Sequence, residues 1–344
     1  MGARRRSPSG FPSIRQVAER AGVSSATASR ALSERGYSSG AARARVVAAA
    51  EELGYEPHLA ARSLRAQSSR VIGVQIQDVT NPFYGFLAQG IAAASRAAAY
   101  VPLLFDCQED AAREAQNLRV MLQTRVDGVL IVPTTGNRTL LERFESHGIP
   151  VVQIDRLTPG LRTDAVIVDN DLGAYEATSH LLALGHTRIG VIAGPSTLTT
   201  GRQRLAGFER ALRDHGVELD DRLVRTSDYR RDTGLALAEE LLRLRPPPTA
   251  IFAHNSVLTG RVLGAIARAG LRVPDDVAVV GFDDSEWATL VSPALTVVSQ
   301  PATTIGSVAT DMLFERLGSG ADRPVRTVEL EPTLLVRGSC GALG

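Results

Sequence analysis

The hydrophobic positions along the chain change period once, near residue 70. Between residues 12 and 56 they recur at helical spacing. From residue 71 onward, short continuous apolar runs alternate with longer amphipathic stretches. In the first region Ile14, Val17, Ala18 and Ala21 share one helical face. Ser13 and Gln16 form a capping box ahead of it, hydroxyl to backbone and amide side chain back to the cap. Gly22, free to take a positive φ, breaks that helix. Ser24 or Ser25 caps a second helix that runs to about Leu32. After a loop at Ser38, Ser39 and Gly40, a third helix over 41–53 carries Val46, Val47, Ala50 and Leu53 as its apolar stripe and stops at Gly54. Pro57 suits the first turn of a short fourth helix over 58–65, and 67–69 reads as linker. Two short helices joined by a tight turn containing glycine are what a DNA-reading helix-turn-helix needs, because the second must lie in the major groove while the first crosses the backbone. On pattern alone an ordinary helical hairpin fits as well.

Beyond residue 70, apolar runs at 71–76, 101–105, 128–132, 150–154, 165–168, 188–193, 249–253 and 277–281 predict buried parallel strands. Helical stretches between them include 83–99, 111–123, 172–184, 202–215, 232–244 and 257–269. Such alternation implies doubly wound α/β layers. The roughly 270 residues available exceed one six-stranded unit, so two similar lobes are expected, with a ligand cleft at the carboxyl ends of the strands.

Composition narrows the function. Of 344 residues 44% are apolar and 22% charged, as in a soluble globular protein. No run of about 18 apolar residues occurs, so no membrane partner is expected. Arg4, Arg5 and Arg6 lead into a Ser-Pro-Ser-Gly run with no apolar segment, which argues against a secretory signal. Cys107 and Cys340 make neither a disulfide framework nor a metal spacing, and fit two reduced thiols in a cytoplasmic protein. Every one of the 38 basic residues is arginine, which removes a P-loop lysine and a Schiff-base lysine. The sequence has no G-x-G-x-x-G fingerprint, no nucleophile elbow and no metal-spaced His/Cys cluster, so neither an enzyme nor a cofactor or metal is expected. The net charge of +1 hides an asymmetry. Residues 1–70 hold 12 arginines and 5 glutamates, about +7, which leaves about −6 for the remainder. A basic head on an acidic body suggests that the head meets a polyanion.

Taken together, these residues resemble the LacI-type (lactose-repressor or GalR) family of bacterial transcriptional regulators. Residues 14–32, IRQVAERAGVSSATASRAL, match its headpiece signature, as do 53–57, LGYEP, and 61–64, ARSL. In the longer region the similar phrases are 78–84, DVTNPFY; 184–186, LGH; 204–208, RLAGF; 280–284, VGFDD; and 295–301, LTVVSQP. The resemblance runs through almost the whole chain from Ser13. It implies a flexible basic tail (1–11), a helix-turn-helix headpiece (12–56), a hinge helix and linker (57–70) and a sensor shaped like periplasmic sugar-binding proteins (71–344). The sensor's first lobe would comprise about 71–170 plus 302–329, and its second about 171–301 plus 330–344. It further implies a repressor that binds a near-palindromic operator as a homodimer, or as a higher oligomer. A sugar-like effector between the lobes would change operator affinity.

The DNA-contacting set so implied is Ser13, Ser24, Ser25, Ala26, Thr27, Ser29 and Arg30, with Arg62, Leu64 and Arg65 in the hinge. Ser25 can exchange one hydrogen bond with a base edge, and Ala26 can only touch a thymine methyl. The leucine matching Leu64 wedges into the minor groove in the family. An isolated eight-residue helix is marginal in water, so this one should form only when DNA supports it. His58 departs from the asparagine common at its position.

For the effector, carboxylates and amides bond hydroxyls while an aromatic covers an apolar ring face. The predicted strand ends supply Asp78, Phe83, Asp155, Arg156, Arg204, Tyr229, Asn255 and Asp283, with Trp287 and with Gln300 in a crossover between lobes. Ser256 stands where the family usually has aspartate. Asp169 and Asn170 read as caps of the next helix.

Overall fold

The computed structural model describes residues 12–32, 39–56, 68–229, 231–319 and 323–341. The chain divides into two units, Met1–Ser69 and Arg70–Gly344. In the first, helix α1 (Ile14–Ala21) opens with the expected capping box. The Gln16 N–H donates to Ser13 Oγ at 3.4 Å, and the Ser13 N–H donates to Gln16 Oε1 at 2.7 Å. Gly22 ends α1 at φ 66°. Helix α2 (Ser25–Leu32) is capped by Ser24, whose Oγ accepts the Thr27 N–H at 3.1 Å, so Ser25 is left on the helix surface. Helix α3 spans Gly40–Leu53.

The three helices close on a core made mostly of alanine: Val17, Ala18, Ala21, Ala28, Ala31, Val46, Ala49 and Ala50. Small side chains let short helices approach closely enough to exclude water with little apolar area each. Val47, expected in this stripe, is exposed. One residue beyond Val46 turns the side chain through about 100°, and Ala49 fills the facing position instead. The expected hinge helix, with His58, Arg62, Leu64 and Arg65, and the tail 1–11 lie outside the described residues.

The second unit holds two six-stranded sheets built to one plan. The strands are β1 (Val71–Ile76), β2 (Val101–Asp106), β3 (Gly128–Ile131), β4 (Val151–Ile154), β5 (Asp164–Val168), β6 (Ile189–Ala193), β7 (Val224–Thr226), β8 (Ala250–Ala253), β9 (Ala278–Phe282), β10 (Thr296–Ser299), β11 (Thr327–Leu330) and β12 (Thr333–Leu335). The first sheet runs β11-β5-β4-β3-β1-β2 and the second β12-β10-β9-β8-β6-β7. Thus β1 to β5 correspond in order to β6 to β10. All pairings are parallel except β10–β12, where the last strand returns antiparallel. The chain crosses between the lobes after β5, after β10, and between β11 and β12.

Helices cover both faces of each sheet, which is why the central strands are apolar throughout. In the first lobe α4 (Pro82–Ala97) and α12 (Ala302–Ser319) cover one face, and α5 (Ala111–Thr124) and α6 (Arg138–Ser146) the other. In the second, α7 (Asn170–Ala183) and α8 (Thr199–Asp214) oppose α9 (Arg231–Leu242) and α10 (Ser256–Arg268), with α11 (Glu286–Leu290) short beside them. The helix following the first strand of each lobe meets the crossover helix at a glycine. A Cβ on Gly90 of α4 would sit 2.0 Å from the Thr303 carbonyl oxygen, and one on Gly207 of α8 would sit 2.2 Å from that of Asp171. Neither position admits a side chain without moving backbone.

Candidate functional sites: a helix face and an inter-lobe cavity

In the first unit Ser24, Ser25, Ala26 and Arg30 are exposed and Ser13, Thr27 and Ser29 half-buried, so the N-terminal end of α2 presents small polar side chains outward. Thr27 is tied to the cap, its Oγ1 lying 2.9 Å from Ser24 Oγ. Arg20 is turned away to Glu52 of α3 at 2.7 Å. Arg30 is exposed on α2.

In the second unit the carboxyl ends of the two sheets enclose a cavity of about 490 Å³. The backbone there is unusual. Gln108 and Glu109 after β2, Asp155 after β4, Tyr229 after β7 and Asp283 after β9 all take positive φ, between 53° and 72°. Left-handed non-glycine residues of this kind cost on the order of 1 kcal/mol or more each and persist only where the surroundings fix them. The surroundings do so in parallel. The Asp155 N–H donates to the Val166 carbonyl at 2.9 Å and the Asp283 N–H to the Val298 carbonyl at 2.8 Å, each bond reaching the next strand of its own sheet. The fold therefore bends sharply at equivalent strand ends and turns two carboxylates inward from opposite walls.

Arg204 lies in the second turn of α8 and is 4% exposed. Its guanidinium stacks 3.6 Å over the Phe282 ring. Nε donates to Asn170 Oδ1 at 2.7 Å and Nη1 to the His254 carbonyl, both neutral acceptors. Asn170 is thereby occupied in holding Arg204, while Asp169 caps α7 through the Leu172 N–H. Burial, with Arg204 alongside, keeps the His254 ring neutral by pushing its pKa well down.

Burial pushes the Asp155 carboxyl up to about 6 even though Arg156 and Arg204 oppose the rise. It raises Asp283 too, against Arg204 and the Gln300 Nε2 donor at 2.5 Å. Arg156 Nη1 and Nη2 form a buried fork with Glu109 Oε2 and Oε1 at 2.7 and 2.8 Å, and the guanidinium lies 5.6 Å from the Tyr229 ring centre. Five buried polar atoms of lining residues have no hydrogen-bond partner among the described residues: Asp155 Oδ1, Arg156 Nε, Thr200 Oγ1, Tyr229 Oη and Gln300 Oε1. Buried polar atoms are normally satisfied, so this set is the mark of a place where a polar guest belongs.

The structure brings together Asp78, Phe83, Asp155, Arg156, Arg204, Tyr229, Asn255, Asp283 and Gln300 around one cavity. Some are partly committed elsewhere. Asn255 Oδ1 caps α10 through the Leu258 N–H at 2.7 Å, Asp78 Oδ1 accepts from the Thr80 N–H and hydroxyl, and Phe83 also belongs to the first lobe's core. Trp287 is not part of the cavity. Its indole packs on the second lobe's core from the short helix α11. Sequence reasoning passed over Glu109, Tyr84, Thr200 and Asn81, all of which line the cavity. Glu109 follows an apolar strand as Asp155 does, so the strand-end rule applied to β2 would have found it. Nothing local marks Asn81, the cap of α4. Its Oδ1 also accepts from Ser256 Oγ at 3.1 Å, across 175 residues of sequence.

Comparison with known proteins completes the picture. Residues 13–58 match the family described as bacterial regulatory proteins, lacI family, and residues 178–340 match the periplasmic binding protein-like domain. The ribose operon repressor of Escherichia coli strain K12 is 34% identical over 329 residues, spanning 95% of this chain and 99% of that one. The crystal structure of the Lac repressor dimer bound to operator and the anti-inducer ONPF superposes with a TM-score of 0.82 at 26% identity, over 96% of this chain and 100% of that one. The transcriptional regulator CelR–cellobiose complex gives 0.73 at 31% identity, over 95% and 99%. No helix among the described residues is long and apolar enough to cross a membrane. A helix-turn-helix unit, a two-lobed sensor of this topology and a relative of this similarity along nearly its full length lead to one conclusion: the chain belongs to the lacI family of bacterial regulatory proteins and is a DNA-binding transcriptional repressor rather than an enzyme.

Proposed function

We propose that the chain binds a near-palindromic operator as a homodimer and is controlled by a small hydroxyl-rich molecule, a sugar or sugar derivative, held in the inter-lobe cavity. The observation that carries this reading is the set of five polar atoms without a hydrogen-bond partner among the described residues around the 490 Å³ space, contributed by both lobes. An acceptor-rich wall from Asp155, Asp283 and Gln300, a fixed donor from Arg204 and the aromatic surfaces of Phe83 and Tyr229 suit hydroxyls on an apolar ring. Two similar proteins support it by their descriptions, one a ribose operon repressor and one a complex with cellobiose. The dimer rests on the Lac repressor dimer to which the chain is similar.

In this reading residues 12–56 contact the operator through α2, with Ser25, Ala26 and Ser29 towards base edges and Thr27 and Arg30 towards phosphates. Residues 57–70 form the hinge, with Leu64 at the operator centre and Arg62 and Arg65 beside it. The sensor, 71–344, transmits the effector's presence. Among the described residues two hydrogen bonds cross the cleft directly, Ser256 Oγ to Asn81 Oδ1 at 3.1 Å and the Leu157 N–H to Thr199 Oγ1 at 3.2 Å. Each contributes about 1 kcal/mol, so an effector contacting both lobes adds a comparable or larger closing energy and shifts the balance between lobe angles.

The test is a thermal-shift screen of the full-length protein against sugars, sugar derivatives and nucleosides, repeated on Arg204→Ala. A cavity ligand raises stability by mass action. The expected result is a stabilising sugar in the intact protein and none in the variant, with operator binding by the variant retained. A ligand that stabilises both equally lies outside the cavity and overturns the assignment. Operator affinity should fall steeply with salt, as neutralisation of several phosphates requires, and a flat profile refutes the interface.

A further inference from the structure

The cavity holds two buried guanidiniums, and the chain disposes of their charges differently. Arg204 rests on neutral acceptors and a ring. Arg156 is clamped by Glu109 in a two-point fork, the two side chains 6% and 15% exposed. Such forks are the geometry with which arginine otherwise holds carboxylate and phosphate groups.

Glu109 reaches Arg156 because the loop between β2 and α5 is built to send it there. Gln108 and Glu109 are successive left-handed residues, at φ 53° and 57°. The turn is fixed on both sides. The Gln108 N–H donates to the Gln77 carbonyl at 2.6 Å and the Asp110 N–H to the Cys107 carbonyl at 3.0 Å. Asp110 Oδ1 then caps α5 through the N–H groups of Ala112 and Arg113. A loop with its ends so constrained cannot swing Glu109 aside without unmaking the start of α5.

The charge count follows. The buried set of Arg156, Arg204, Glu109, Asp155 and Asp283 carries −1 when all are ionised, and the full lining contains five carboxylates against three guanidiniums. An entering phosphate or carboxylate would meet an excess of negative charge where water cannot screen it. A neutral polyol would not.

We propose that Glu109 is the charge-selecting residue of the cavity: by clamping Arg156 it restricts the site to uncharged, hydroxyl-rich ligands and excludes the phosphorylated or carboxylated forms of the same compounds. This rests on the cavity being the effector site. Replacing Glu109 with glutamine keeps the shape of the side chain and leaves Arg156 with only its longer, 3.5 Å ion pair to Asp155, so two guanidinium N–H groups lose their anionic partner and the same pocket gains affinity for an anion.

The experiment measures thermal shift and binding calorimetry on the full-length protein, wild type and Glu109→Gln, and on the double variant Glu109→Gln/Arg156→Met. The probes are inorganic phosphate, neutral pentoses and hexoses, and their 5- and 6-phosphates, all at matched ionic strength. The proposal expects that no phosphate compound stabilises the wild type, that Glu109→Gln gains at least tenfold in phosphate affinity, and that the double variant loses the gain. Near-UV circular dichroism establishes that each variant is folded. A wild type that binds a sugar phosphate more tightly than the neutral parent overturns the proposal. So does a folded Glu109→Gln with no gain for inorganic phosphate, or a gain that survives the loss of Arg156. If no sugar of any charge stabilises the wild type while Glu109→Gln still gains phosphate through Arg156, charge selection stands and the sugar reading of the cavity falls. If neither occurs, both fall.

Discussion

The two lobes repeat one backbone and carry opposite chemistry on it. After the fourth strand of each comes an aspartate in the left-handed region, Asp155 at φ 65° and Asp283 at φ 72°, anchored by the same inter-strand bond. The residues that follow part company. Arg156 turns inward to Glu109 and is buried, whereas Asp284 pairs with Arg337, the two side chains 27% and 19% exposed. After the second strand the first lobe supplies Glu109 and the second supplies Tyr229, both left-handed. The shared backbone decides where side chains meet the cavity. Their identities make one wall a directly bonded ion pair and the other an aromatic and an arginine hydrogen-bonded to neutral acceptors.

The comparison can be broken at its scaffold. Gly90→Ala and Gly207→Ala each drive a Cβ into a carbonyl oxygen at 2.0 and 2.2 Å. Each should destabilise its own lobe by about 3 kcal/mol, towards the top of the range for overpacking, as read by chemical denaturation. A loss below about 1 kcal/mol at either would show that the helix pairs can slide apart. At the chemical level, Arg204→Ala removes the cation shared by Asp155 and Asp283. It should weaken effector binding roughly a hundredfold, or about 3 kcal/mol, whereas Arg156→Met, already neutralised, should weaken a neutral effector less. Equal losses in calorimetry would contradict the division of labour between the walls.

Titration sharpens the contrast further. The Asp155 carboxyl is held at about 6, above its usual value near 4, so the native state keeps a proton over an interval where the unfolded chain has released it. Raising pH from 4 to 6 should therefore cost the wild type about 2–3 kcal/mol relative to Asp155→Asn. The difference should be absent below about pH 4 and complete by pH 7. A difference that grows in the opposite direction, or none, means that Asp155 stays ionised throughout. The smallest effect belongs to the outer pair: Arg337→Met should cost under about 1 kcal/mol because solvent screens its partner Asp284, and a larger loss would make the second lobe's pair structural after all.

How much of this was legible follows from burial. Strand β1 was read at its observed limits because Val71–Ile76 is apolar on both faces, and β3, β4, β6, β8 and β9 were found within a residue or two for the same reason. Strands β7, β10, β11 and β12 escaped, the buried β10 among them although 295–301 is one of the phrases that carry the family resemblance. Thr327–Leu330 alternates exposed and half-buried, interrupted by Glu329, and Pro332 precedes β12, so both look like loop. Helix α12 was placed in the first lobe without being recognised as a helix, since its early Thr303, Thr304 and Ile305 are poor helix formers. Strand-end reasoning found Asp155, Tyr229, Asn255 and Asp283 because the topology puts such positions around a cleft. It missed Glu109 because the same rule was not carried to the end of β2. It also named Trp287, which the structure packs on the second lobe's core rather than at the cavity; aromaticity alone does not tell a ligand platform from packing. The Ser256–Asn81 bond was beyond reach, since only the closed arrangement of two lobes joins those residues. In the first unit the cap at Ser24 and the capping box are local chemistry and were readable, though Ser24 and Ser25 were not distinguished.

The left-handed turns at Gln108, Glu109, Asp155, Tyr229 and Asp283 have a consequence for how this protein can change. Glycine at Gln108, Asp155 or Asp283 relieves the backbone and should gain up to about 1 kcal/mol, while deleting a side chain that the cavity uses; at Glu109 and Tyr229 the lost ion pair and core packing outweigh that relief. A laboratory lineage selected for heat resistance alone would therefore collect replacements at the cavity early. Its descendants would be hardier proteins that had stopped responding to their signal. Stability and sensing draw on the same few residues, and a screen meant to improve one must score the other at every round.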